Sequence, residues 1–211
     1  MTQLKHIAVV GNIGAGKTTL TKLLAQHYNW APQYESADEN PYIIDFYNDM
    51  HRWSFNLQIY FLNARLTQLL EIQESGVTVI QDRTIYEDAY IFAPNLQEMG
   101  LMAKRDFDNY IAIFNTIKKM IKPPGLLIYL KASLPALVDQ IQKRGREYED
   151  SIRLDYLKRL NEHYNNWIDN YTDGKLLIIN VDECNFAEKE EDFAEVIRRI
   201  DVEMNGLFNE L

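Results

Sequence analysis

Four short runs of the chain, Ile7 to Val10, Val77 to Ile80, Leu126 to Leu130 and Lys175 to Asn180, are apolar almost without interruption instead of alternating with polar residues. A run of that kind predicts a strand covered on both faces, as in a parallel sheet. A fifth short strand is predicted around Gln33 and Tyr34. Between the runs the spacing turns helical. The first run leads towards a helix ending near Tyr28. Tyr42 to Met50 and Phe55 to Glu74 follow, the latter with Leu57, Phe61, Ala64, Leu69 and Ile72 at roughly helical intervals and Gly76 as its stop. Tyr86 to Gly100 reads as an irregular helix broken near Pro94, and Lys104 to Lys122 as a long helix halted by Pro123 and Pro124. Ser133 supplies a capping hydroxyl just ahead of Pro135, a helix start whose helix ends in the charged run from Gln142 to Asp150. Ile152 to Tyr171 and Glu188 to Leu211 complete the helices. Strands alternating with helices predict an α/β fold, a parallel sheet with helices on both faces.

Length makes this one domain spanning residues 1 to 211, large enough for a continuous core. The formal charge of −9 and pI near 5.0 argue against a nucleic-acid or anionic-membrane binder, because phosphate surfaces need a cationic face. The lone cysteine, Cys184, cannot form an internal disulfide, and no leader-like or membrane-spanning run is evident, so a reducing cytoplasm is the expected compartment. Nothing beside Cys184 in sequence marks it as a reactive thiol.

The densest signal is Gly11, Asn12, Ile13, Gly14, Ala15, Gly16, Lys17, Thr18 and Thr19, directly after an apolar run and directly before a helical one. It matches the phosphate-binding loop pattern in its required context. Glycines let several backbone N–H groups converge on one anion, and the following helix adds its positive end. Lys17 brings a charge for the outer phosphates, and Thr18 a hydroxyl for magnesium. A magnesium nucleotide is therefore the expected ligand.

Ligands of an open parallel sheet bind beyond the carboxyl ends of its strands, which selects the residues that follow each run. Asp82 after the second run is placed to support magnesium, the lesser alternative being a turn or helix cap. Arg83 can steer a reacting hydroxyl, or serve only a structural ion pair. Phosphoryl transfer to an alcohol also needs a carboxylate to take its proton, and Glu35 is chosen for that base, although by position alone it is one of 31 acids and a solvated surface site is the better reading. Lys143, Arg144, Gly145, Arg146 and Glu149 form a basic cluster that suits a lid over residues 143 to 150, the alternative being a solvated helix end.

With these residues together the chain resembles the deoxynucleoside kinase family, its bacterial deoxyadenosine and deoxyguanosine kinases above all. The matches are GNIGAGKTT, Glu35, Tyr47, RWSFNLQ with Gln58, Arg65 seven residues later, DRTIYED and RGREYE. The resemblance implies a P-loop kinase fold with a basic lid, ATP as phosphoryl donor with Mg2+, and usually a homodimer, for which the 104 to 122 helix is a candidate surface. It implies that Glu35 accepts the proton of the 5′-hydroxyl and that Arg83 holds that end of the acceptor. Asp82, where relatives often carry Glu, supports magnesium. Tyr47 and Glu149 grip the sugar 3′-hydroxyl, and Arg144 and Arg146 are lid arginines that join Lys17 in the candidate catalytic set. Gln58, Arg65 and Asp88 read the base, with Trp53, Phe61 and Phe92 beside them. Some relatives carry a further lid arginine where this chain has Gln140, and Lys143 is the candidate substitute. The terminal helix matches no catalytic motif and is expected to pack or make a dimer contact.

The expected reaction is transfer of the ATP γ-phosphoryl group to the 5′-hydroxyl of a deoxynucleoside, deoxyadenosine first, with deoxyguanosine or deoxycytidine as the alternative acceptor. A nucleoside monophosphate kinase shares the loop and lid but would set Glu35 against an acceptor phosphate. A regulatory nucleotide switch should carry an Asn-Lys-x-Asp base reader, which is absent.

Overall fold

The computed structural model describes residues 6–34 and 39–205. Five strands, β1 (His6–Gly11), β2 (Ala31–Gln33), β3 (Val79–Asp82), β4 (Leu126–Lys131) and β5 (Lys175–Asn180), form one sheet in the order β2-β3-β1-β4-β5. Every pairing is parallel. The side-chain period of two divides each central strand between two cores. Ile7 and Val9 of β1 and Ile128 and Leu130 of β4 face α1 (Lys17–Tyr28), α7 (Leu134–Arg144) and α9 (Glu190–Asn205), where Leu20, Leu137 and Ile200 are fully buried. Ala8, Val10, Leu127 and Tyr129 face the opposite core, shared with α2 (Ile43–Asn48), α3 (Met50–Glu74) and α8 (Leu154–Asp169). Coverage on both sides is why the runs show no alternation. The terminal helix α9 packs onto the sheet through Val196 and Ile200.

Element bounds depart from the sequence reading in instructive places. The second run was expected at Val77 to Ile80, yet Val77 is exposed and the strand extends to Asp82. Gln81 can lie in the interior because its side chain bonds His6 Nε2 at 3.0 Å and Gln68 Oε1 at 3.1 Å, partners that apolarity does not reveal. The edge strand β2 ends at Gln33, one residue short of Tyr34, and tolerates Pro32 as an edge can. Helix α3 starts five residues before Phe55, because Asp49 caps it by accepting the Arg52 N–H at 3.0 Å.

The region around Pro94 is continuous rather than broken. Helix α4 (Ile85–Glu87) widens into a π turn over Asp88–Phe92 and continues as α5 (Ala93–Glu98). Pro94 falls at the start of α5, where the preceding wide turn leaves room for a ring and needs no N–H from it. Helix α6 (Lys104–Lys118) ends four residues before Lys122, α8 is shorter than expected at both ends, and α9 begins at Glu190. Ser133 caps α7 by accepting from Ala136 N–H, as its position predicts. Gly145 closes α7 at φ 64°, and a 3-10 turn over Glu147–Ser151 leads towards α8.

Candidate active site

The strand order turns back on itself around β1, and the loop from Gly11 to Lys17 lies at that reversal, where open α/β sheets hold ligands. Gly14 has φ 85° and a Cβ there would stand 2.9 Å from the Leu137 carbonyl oxygen, so both backbone and space require glycine. Gly16 opens α1 at φ 89°. Lys17 Nζ reaches back to the Asn12 carbonyl at 3.0 Å, folding its charge over the loop.

Registry then brings the second cluster to the loop. Asp82 pairs with Val9 across β1 and β3, and its Oδ2 accepts from Thr18 Oγ1 at 2.5 Å. This pair supplies one hydroxyl and one carboxylate oxygen, the hard donors that magnesium takes. No cluster of three or more His, Cys, Asp or Glu suited to a metal occurs among the described residues. Magnesium fits such a sparse donor set because it keeps waters and phosphate oxygens as its other ligands.

Arg83 follows at φ 69°, a left-handed conformation that a non-glycine residue adopts at a cost of about 1–3 kcal/mol and that concentrates at functional sites. Its N–H bonds the Val9 carbonyl at 3.0 Å, extending the ladder one step. Its guanidinium carbon sits 4.6 Å from the centre of the Phe92 ring, and Nη1 donates to the Tyr164 hydroxyl at 3.2 Å and lies 3.7 Å from Glu87 Oε1. The ion pair considered for Arg83 is therefore present, and Arg83 also lines the cavity below.

One cavity of about 480 Å³ runs from the loop to the helices opposite. It is lined by Ile13, Gly14, Gly16, Lys17, Thr18 and Thr19 of the loop and the start of α1, by Arg83, and by Tyr47, Gln58, Phe61, Asp88 and Phe92. Arg144, Arg146 and Glu149 also line it. Gln58 is buried, and its Oε1 has no hydrogen-bond partner among the described residues. A buried acceptor without a partner, in a side chain that lines a cavity, is a candidate for a ligand donor.

Other expected residues stand behind the wall. Arg65 is 2 % exposed and bonds Asp88 Oδ2 through Nε at 2.7 Å, so it stands behind Asp88, which lines the cavity. Asn12 turns its side chain away to α8, donating to Asn161 Oδ1 at 2.7 Å and to the Leu157 carbonyl at 3.1 Å. Trp53 is not on the cavity wall; it lies under Arg52, whose guanidinium carbon is 4.3 Å from its ring centre. Glu35 lies outside the described residues.

The segment from Arg144 to Glu149 is tied down by its own charges. Arg144 spans the Glu149 carboxylate with Nε at 3.1 Å and Nη2 at 2.6 Å, and Arg146 Nη1 is 3.6 Å from the same group. Tyr148 stacks on Tyr47 with centroids 5.5 Å apart, joining the segment to α2. Gln140 lines the cavity, as does Lys143, whose ammonium is 2.8 Å from Asp139.

The profile of the Deoxynucleoside kinase family matches residues 7–204. The chain belongs to the deoxynucleoside kinase family. It is thereby an ATP-dependent deoxynucleoside kinase of five-stranded P-loop fold. Similar curated proteins include the deoxyadenosine/deoxycytidine kinase of Bacillus subtilis (strain 168), 36 % identical over 92 % of this chain and 90 % of that one. The deoxyguanosine kinase of Lactobacillus johnsonii is 35 % identical over 92 % and 90 %. Among solved structures, the deoxyadenosine kinase from M. mycoides with bound dATP superposes with a TM-score of 0.82 at 26 % identity, covering 93 % of this chain and 99 % of that one.

Three residues of the kinase were missed by the reading of its sequence: Glu87, Tyr164 and Asn161. Glu87 Oε2 accepts the Thr84 N–H at 2.7 Å, and its Oε1 accepts from the Gly11 N–H at 3.2 Å. The Tyr164 hydroxyl is 2.6 Å from Glu87 Oε1 and 2.8 Å from the Gly11 carbonyl oxygen. Burial and the neighbouring Glu87 charge push the Tyr164 hydroxyl well above the usual tyrosine range, so it stays protonated and able to donate. Thr84 followed three residues later by Glu87 is a helix-start pattern that could have flagged Glu87. No local pattern marks Tyr164 or Asn161, which belong to the buried face of α8 and to its edge.

Proposed function

We propose that this kinase transfers the γ-phosphoryl group of ATP to the 5′-hydroxyl of deoxyadenosine. The supporting observation is one cavity lined together by the phosphate loop, Arg83, Gln58 and Asp88. Its volume suits one small-molecule substrate beside a phosphate chain. Gln58 Oε1 takes the exocyclic amine of adenine while its amide N–H donates to the adjacent ring nitrogen, and Asp88 adds a further acceptor. Cytosine presents the same pair of groups, which makes deoxycytidine the second acceptor. Thymine carries a carbonyl in place of the amine and is disfavoured.

In this reading the loop from Gly11 to Thr19, with Lys17, holds the donor phosphates, and Thr18 with Asp82 would hold magnesium. That ion would neutralise charge on the transferring phosphoryl group. Arg83 orients the 5′-hydroxyl and Glu35 takes its proton. Tyr47 and Glu149 hold the 3′-hydroxyl, and Arg144 and Arg146, the basic part of a lid over residues 143 to 150, neutralise developing charge. Catalysis is positioning and electrostatics, with no covalent enzyme intermediate. Exposed Ile113 on α6, Met120 just beyond it and Leu70 on α3 support a homodimer through that side, which a light-scattering mass tests.

The test is ATP consumption with magnesium against deoxyadenosine, deoxyguanosine, deoxycytidine, thymidine, adenosine and deoxyadenosine monophosphate, with products identified by mass. Deoxyadenosine 5′-monophosphate as the fastest-formed product is the expected result. Phosphorylation of the monophosphate alone would remove Glu35 from its role and overturn the reading.

A further inference from the structure

We propose that Glu87 is a positioning residue that locks the donor loop and the acceptor-holding turn into one rigid unit. The inference rests on the reading above, in which the loop from Gly11 holds ATP and Arg83 holds the acceptor hydroxyl. Glu87 is fully buried and absent from the cavity wall, so it touches neither substrate. A helix-capping role accounts for only one of its oxygens. Oε2 takes the Thr84 N–H within its own turn, but Oε1 takes the Gly11 N–H, 76 residues away, and meets the Tyr164 hydroxyl, 77 residues away.

The partners of Oε1 are the two ends of the reaction. Gly11 begins the phosphate loop, and Arg83 Nη1 lies 3.7 Å from Oε1 while donating to Tyr164. Arg83 is held in its left-handed conformation from both sides, by its own N–H on Val9 and by Glu87 on the next N–H. Tyr164 closes the ring through the Gly11 carbonyl. A carboxylate is the group that fits, because each oxygen must accept and the nearby guanidinium needs a counter-charge. A glutamine offers one accepting oxygen and one donating nitrogen, so one of the two N–H groups loses its partner.

The experiment uses the full chain with deoxyadenosine and ATP, at a temperature where circular dichroism shows each variant folded. Glu87→Gln is expected to lower kcat by about tenfold or more with the nucleoside KM within about threefold, since geometry at the reacting atoms is lost and base contacts are kept. Combined with Arg83→Lys, it should add less than about threefold to the loss from Arg83→Lys alone, because both act through the same group. A purely structural role predicts losses that multiply. A kcat within threefold of the parent, or multiplying losses, overturns the proposal. If Glu87→Gln does not fold, Tyr164→Phe decides: a kcat loss above threefold at unchanged KM supports the unit, and a smaller one overturns it. A parent protein that phosphorylates no deoxynucleoside would remove the underlying reading as well, whereas an active parent beside an unimpaired Glu87→Gln removes the positioning role alone.

Discussion

Arg65 Nε donates to Asp88 Oδ2 at 2.7 Å, with both side chains almost fully buried, and only Asp88 of the two faces the cavity. The pair is a charged wall whose front is an acceptor and whose back is its counter-ion. Removing the carboxylate breaks a buried ion pair, so Asp88→Ala should destabilise the protein by about 3–5 kcal/mol. It should also change the order of preference among bases more than the rate with the best one. Replacing both, as Arg65→Met with Asp88→Leu, should restore most of the stability while the base preference stays lost. Denaturant titration with the nucleoside panel reads both effects, and an unchanged base ranking in either variant would show that the base is read elsewhere.

Thr18 and Asp82 meet at the loop end, and the charge of Asp82 matters there if it supports magnesium. Asp82→Asn keeps the shape and removes the charge. The magnesium concentration for half-maximal turnover should rise by about tenfold at fixed ATP. An unmoved magnesium curve would take Asp82 out of metal support.

Glu35→Gln should bind deoxynucleoside as the parent does and lose about 100-fold or more in kcat, the usual contribution of a positioned base. Calorimetric binding beside steady-state turnover separates the two quantities. Turnover close to the parent's would assign the proton to another acceptor.

His6 makes stability depend on pH. Burial lowers its pKa from 6.5 to about 4, partly opposed by its hydrogen bond to Gln81. The unfolded chain therefore binds a proton that the native state refuses between those values, and the stability present above pH 6.5 is lost as pH falls towards 4. The loss is at most about 3 kcal/mol. His6→Gln should flatten that part of the curve; denaturation midpoints at pH 7 and 4.5 that shift equally in both proteins would acquit His6.

Local rules carried much of this molecule. Apolar runs without alternation marked the central strands because both sheet faces are covered. The phosphate loop was legible because its conformation depends on glycines a few residues apart, and the cap at Ser133 depends on one hydroxyl and the turn after it. Asp82 and Arg83 were selected because they follow an apolar run, and the fold brings Asp82 to Thr18 and Arg83 to the cavity. Where apolarity was the guide the bounds slipped, as at β3, whose end is polar and buried. What tertiary structure decided was which polar groups could be buried at all. Glu87, Tyr164 and Asn161 read as ordinary helix positions, and Arg65 shows its buried pairing with Asp88 only once folded. A buried charge is tolerable only when its partners arrive from elsewhere, and here they arrive across 76 residues between Glu87 and Gly11 and 153 between Tyr164 and Gly11. Parallel strand registry and the docking of α8 set those distances, and neither is encoded in any short stretch of the chain.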